Sequence, residues 1–174
     1  MINITALQLA FYTWADGVVT EAVIWENENG PRPSSDYVGL MIPNVERIGQ
    51  DSRLPPDDTT GGVSIIGDRD CLLEITGIGA SGYTNVLKLA DSLELDAVLL
   101  TLRTAGIVIV DTGPALDTSV VLDSLTEQRG FLTITFRVAD VIPAASNIVG
   151  IVEEVQASPS YGGFQPAEIE IEIP

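Results

Sequence analysis

The stretch Phe131-Leu132-Thr133-Ile134-Thr135-Phe136-Arg137-Val138 constrains the fold more than any other part of the chain. Leu132, Ile134, Phe136 and Val138 alternate with Thr133, Thr135 and Arg137. A backbone that places every second side chain on one side is extended, so this segment predicts a strand with one apolar and one polar face. Such a strand needs neighbours for its backbone groups and an apolar layer against its buried face.

Residues 3–16 can supply that layer. Ile4, Leu7, Phe11, Trp14 and Val18 follow the three/four spacing of a helical stripe, with Asn3 suited to the N-cap and Gly17 to the stop. A second helix is expected from Ser81, turning Val86, Leu89, Ala90 and Leu93 inward. A third is expected over residues 95–105, with Val98, Leu99 and Leu102 inward and Gly106 just past its end. Residues 21–26 and 36–42 read as a hairpin around a turn-rich connector containing Pro31-Arg32-Pro33. Residues 63–66 and 70–75 read as strands around a Gly67-Asp68-Arg69 turn, and residues 107–111 and 148–155 as further strands. Residues 44–62 fit an extended hairpin arm or a surface loop, and residues 116–128 a loop or a short helix. The order of helix, strands, helices and strands predicts an α+β fold: a mainly antiparallel sheet packed by helices on one face, with a long loop or hairpin arm and an extended C-terminal strand. A length of 174 residues suits one domain, placed over residues 1–157, with residues 158–174 as a linker and extension.

Charge restricts what this domain can do. There are 25 acidic and 8 basic residues, a formal net charge of -17, yet 45% of the chain is hydrophobic, so the charge belongs on the surface of a folded body. Gripping duplex DNA needs clustered Lys and Arg, and so does binding an anionic membrane. The absence of histidine removes the commonest general base and zinc ligand. Cys71, the only cysteine, reads as a small buried residue in a strand. With neither a signal-like start nor a long apolar run, a cytosolic origin is expected.

Few motifs carry chemistry. Gly77-Ile78-Gly79-Ala80-Ser81-Gly82 is a literal G-x-G-x-x-G, which in dinucleotide sites lets the backbone approach a pyrophosphate. Repeated strand-helix-strand units are missing here, so the better reading is a strand-to-helix turn with Ser81 as N-cap. The acidic pairs Asp57-Asp58, Asp68 with Asp70, and Glu153-Glu154 lack calcium-loop spacing and read as solvated surface, with Arg69 as counter-ion within its own triplet. Neither a metal nor a cofactor nor an enzymatic activity is expected. Arg32, Arg47 and Arg53 are scarce cations in the two expected loops and are either candidate contacts for a partner or subunit or solubilising loop charges. In Glu168-Ile169-Glu170-Ile171-Glu172-Ile173 the isoleucines occupy one side of a strand, and Ile169, Ile171 and Ile173 could be buried on a neighbour's sheet edge or on the chain's own.

Several segments together resemble the neck and tail terminator proteins of tailed bacteriophages. They are Ala22-Val23-Ile24-Trp25 ahead of a polar loop, Pro31-Arg32-Pro33, Asp36-Tyr37-Val38-Gly39-Leu40, and Ile75-Thr76-Gly77 running through Ala80 into a helix. The helix pair ending in Leu102 to Gly106-Ile107, the run from Glu127-Gln128-Arg129-Gly130 through Phe136, and Ile151-Val152-Glu153-Glu154-Val155 continue the likeness over about residues 1–157. The resemblance implies a structural virion subunit, assembled in the host cytoplasm, that forms a homo-oligomeric ring, typically a hexamer. Such a ring sits on the last ring of the tail tube, stops its polymerisation and offers a surface to the head connector. Its partners would be its own copies, the tail tube protein and a neck or connector protein, with DNA passing through an acidic lumen without specific binding. Another neck component, such as a head-completion protein, or a stacking tube-like subunit is the nearer alternative. A nucleotide-binding enzyme using Gly77–Gly82 is a remote one. The proline-rich residues 51–62 and the Glu-Ile tail depart from the family pattern.

Overall fold

A computed structural model describes residues 2–28, 30, 33–56, 61–122 and 125–144. Helix α1 spans Ile4–Val18, and the Asn3 side chain accepts a hydrogen bond from Ala6 N at 3.1 Å, as a capping residue should. Gly17 lies inside this helix, which stops when Val19 turns extended. Strand β1 (Ala22–Trp25) is short, whereas β2 (Tyr37–Arg53) and β3 (Ile65–Ile78) are long. Helices α2 (Gly82–Ser92) and α3 (Asp96–Thr104) follow, then β4 (Val108–Thr112), β5 (Leu116–Asp117), β6 (Val120–Leu122), β7 (Leu125–Glu127) and β8 (Arg129–Ile142). The main sheet runs β1-β2-β3-β8-β4, with β5 also on β8, while β6 and β7 form a separate hairpin. The expected α+β architecture is therefore present, and every pairing in the main sheet is antiparallel except one.

The exception corrects the expected first hairpin. Ala22 pairs with Tyr37 and Trp25 with Leu40 in parallel register, so β1 and β2 run the same way and β3 is the antiparallel partner of β2. Alternating apolar residues mark a strand without stating its direction, and the connector between the two strands is long enough to carry the chain back. The Gly67-Asp68-Arg69 turn is also absent, because these residues continue β3, with Gly67 opposite Asp140 and Arg69 opposite Val138. Residues 44–53 prolong β2 as one side of a hairpin arm with β3. Residues 116–128 form neither helix nor simple loop but the short strands β5, β6 and β7. The expected strand over 148–155 lies outside the described residues.

One apolar core joins sheet and helices. Leu7, Phe11, Trp14 and Ala15 of α1, Val86 and Leu89 of α2 and Leu102 of α3 pack with Val38, Leu40, Leu73, Ile75, Leu132, Ile134 and Phe136 of the strands. The Phe11 and Phe136 rings meet edge to face, 4.8 Å between centroids. Trp14 Nε1 donates to Ser92 Oγ at 3.0 Å, and that hydroxyl donates to the Leu89 carbonyl, so α1 and α2 are joined by a satisfied buried polar contact. Among the described residues no helix is long and apolar enough to cross a membrane.

Candidate interaction surface

The three long strands continue past the core as an arm made of residues 44–53, 65–70 and 137–142. Along the core-facing side of β3, Ile75, Leu73 and Cys71 are succeeded by Arg69. Arg69 donates to both carboxylate oxygens of Asp51, at 2.8 and 3.0 Å, and lies 3.1 Å from Asp140 Oδ2. Arg47 reaches the same Asp51 at 3.2 Å. The side chains of Arg69, Asp51 and Asp140 are only 12–13% exposed, so an ionic cluster occupies the position that apolar packing holds further down the sheet. Hydrogen bonding from Arg69 holds the Asp51 carboxyl below its usual range, with Arg47 adding to the effect. Gly67 accommodates the cluster, since a Cβ there would meet Asp51 Oδ1 at 1.9 Å. On the opposite sheet face, Arg137 grips Asp70 with two bonds of 2.7 and 3.0 Å and lowers that carboxyl's pKa as well. The expected counter-ion role of Arg69 within its own triplet is thus corrected: its partners lie on β2 and β8, because neighbours in a strand point to opposite faces.

The body carries its charge differently. Asp16, Glu26, Glu28, Asp91, Glu94, Asp96 and Asp111 are exposed there, while four of the chain's eight basic residues, Arg47, Arg53, Arg69 and Arg137, lie on the arm. Arg47 and Arg53 are therefore exposed strand residues of the arm, not loop residues. Arg32, Ile169, Ile171 and Ile173 lie outside the described residues. Arg69, Asp51, Asp140, Asp70 and Arg137 escaped the sequence reading as a group, because their pairings join positions far apart in the chain, Arg137 and Asp70 being 67 residues apart and Arg69 and Asp140 farther still.

The glycine-rich turn is structural. A Cβ on Gly77 would lie 2.1 Å from the Gly82 carbonyl oxygen, and Gly79 has φ +99 with Asp36 closely packed against it. Ser81 occupies the N-cap position without a side-chain bond to the helix; its own N–H donates to Asp36 Oδ2 at 3.1 Å. A carboxylate of the protein itself thus sits at the start of α2, where it would repel a phosphate. Cys71 is buried, and burial with the nearby Asp70 charge pushes its thiol up to about 11, far from a reactive thiolate.

The sheet ends at β1 on one side and β4 on the other, and each end adjoins a groove. The β1 groove, about 280 Å³, is lined by Tyr12, Ile24, Tyr37, Glu26 and Glu28 among others. The β4 groove, about 390 Å³, runs between α3 and the strand and includes Leu93, Leu99, Arg103, Ile109 and Asp111. An ion-paired arm, an acidic body and two sheet edges that are unextended among the described residues make a surface suited to assembly. A family profile described as "Phage neck terminator protein" matches residues 5–161. The chain belongs to this family. No curated protein matches its sequence. As a member of this family, the chain is a structural component of the virion's neck or tail, associated with other head or tail components.

Proposed function

We propose that the chain forms a closed homo-oligomeric ring, a hexamer, at the top of the tail, where it ends tail-tube polymerisation and joins the tail to the head connector while DNA passes through an acidic lumen. The observation that carries this reading is the separation of charge: cations concentrate in ion pairs on the arm, and the body presents mostly acids. A negative wall repels phosphates at short range and keeps a sliding duplex from sticking. Residues 1–157 act as one domain and residues 158–174 as its extension. The arm, with Arg47 and Arg53, contacts adjoining rings or subunits, and Arg32 and the isoleucines at 169, 171 and 173 contribute further contacts. Host cytoplasm is the place of assembly, and no enzymatic step is involved.

Native mass measurement with negative-stain imaging tests the ring, expecting a closed particle of six copies. A stable monomer that never assembles, even with tube protein, overturns it. Adding the protein to polymerising tube subunits separates the roles: a terminator caps tubes at one end, whereas a tube-like subunit lengthens them.

A further inference from the structure

The β4 edge has properties that the β1 edge lacks. β4 is paired with β8 along one side, and among the described residues nothing pairs with its other side, so a row of backbone donors and acceptors is presented to a further strand. Val108 and Val110 are 46% and 49% exposed on this strand. Beside it the groove offers Leu93, Leu99 and Ile109 as an apolar floor, with Arg103 as its cation. A segment that fits must be extended, apolar on the side that enters the groove, and must keep its acidic side chains clear of Glu94 and Asp111, which share the rim with Arg103. Residues 168–173 have that pattern, three isoleucines alternating with three glutamates. The β1 groove is a poorer match, since Glu26 and Glu28 line it with no basic residue beside them among the described residues, whereas in the β4 groove Arg103 offsets one of the two acids, Glu94 and Asp111.

Geometry bears on which copy supplies the segment. β8 ends at Ile142, at the far end of the arm, while β4 lies beside residues 134–137 of the same strand, so the chain leaves the sheet heading away from β4. Residues 145–167 then intervene, a length that spans roughly 80 Å when extended and is ample to cross to an adjacent subunit. We propose that residues 168–173 of one copy add to the β4 edge of the next, with Ile169, Ile171 and Ile173 entering the groove between α3 and β4. The link rests on the ring reading above and names the partner of its subunit contact. Backbone pairing supplies attachment, and the alternate isoleucines supply specificity.

Cross-linking of the full chain tests it. Cys71 is buried and poorly ionised, so it contributes little background. Two variants, Val110→Cys carrying a tag and Ile171→Cys without one, are mixed, assembled and oxidised. The expected product is a disulfide-linked pair of one tagged and one untagged chain, abolished by reductant. The double variant should give a ladder of linked chains, whereas an internally linked monomer would mean that the segment docks on its own chain and would overturn the proposal. A ring seen by native mass that yields no cross-link overturns the docking and leaves the ring standing; a protein that does not assemble at all overturns both. Replacing Ile169, Ile171 and Ile173 by Asp should raise the concentration needed for assembly by about tenfold or more. Unchanged assembly of that variant also overturns the proposal, and an unchanged circular-dichroism spectrum checks that the body still folds.

Discussion

The body and the arm share three strands, yet different forces hold them. In the body the core-facing residues of β3 and β8 are Ile75, Leu73, Ile134 and Phe136, all removed from water by the helices. A few residues further along the same strands that face carries Arg69 and Asp140, joined through Asp51 to Arg47. Apolar burial is non-directional and tolerates small shifts, whereas a cluster of charges needs its geometry kept and weakens when a member changes protonation. One sheet can therefore combine a firmly packed platform with a polar, solvent-tolerant extension suited to contacts that form and re-form during assembly.

Mutations can break this contrast. Phe11→Ala removes the ring packed against Phe136 and should destabilise the protein by about 3–5 kcal/mol in chemical denaturation. Gly77→Ala drives a methyl group into the Gly82 backbone and should cost about 1–3 kcal/mol. Its counterpart on the arm, Gly67→Ala, meets the Asp51 side chain, which can turn aside, so the loss should be smaller and confined to the arm in hydrogen-exchange profiles. Asp51→Ala should lower stability less than Phe11→Ala, with an effect that shrinks as salt is added. If it proved as damaging as the core truncation and insensitive to salt, the distinction between arm and body would fail.

Acid provides the gentlest test. The Asp51 and Asp70 carboxyls have folded pKa values below their ordinary value of 3.8. Groups of this kind stabilise the fold above the unfolded pKa, and that contribution is lost as pH falls through the folded value. Amides of residues 44–53 and 65–70 should therefore lose protection as pH falls below about 4, before those of the body's core strands, whose buried side chains are apolar. Equal loss in both regions would break the comparison.

How far the sequence discloses this division depends on the range of each interaction. Asn3, the α1 stripe and the alternation of residues 131–138 work through neighbours in sequence, and the fold class follows from them. The arm has no such signature: β2 passes Pro43 at a bulge between Met41 and Asn44, and Gly49 at φ 63 within a second irregularity, with few apolar residues to mark a strand. Gly67 resembles a turn residue, but its small size serves Asp51, sixteen positions earlier. Parallel pairing of β1 is likewise a property of the assembled sheet. The family was legible from short segments, whereas the ionic cluster required knowing which distant strands lie side by side.

The position of β8 has a consequence for biosynthesis. This last described strand lies between β3 and β4, inside the sheet and next to its edge. A nascent chain emerging from the ribosome thus has α1, the β2–β3 ribbon and the α2–α3 pair well before the strand that unites them. Until residues 130–137 are available β4 and β5 lack the strand that pairs them among the described residues, and one side of β3 is open to the wrong strand. Closure of the sheet comes late, so the β4 edge takes its final form only in chains whose synthesis has passed β8.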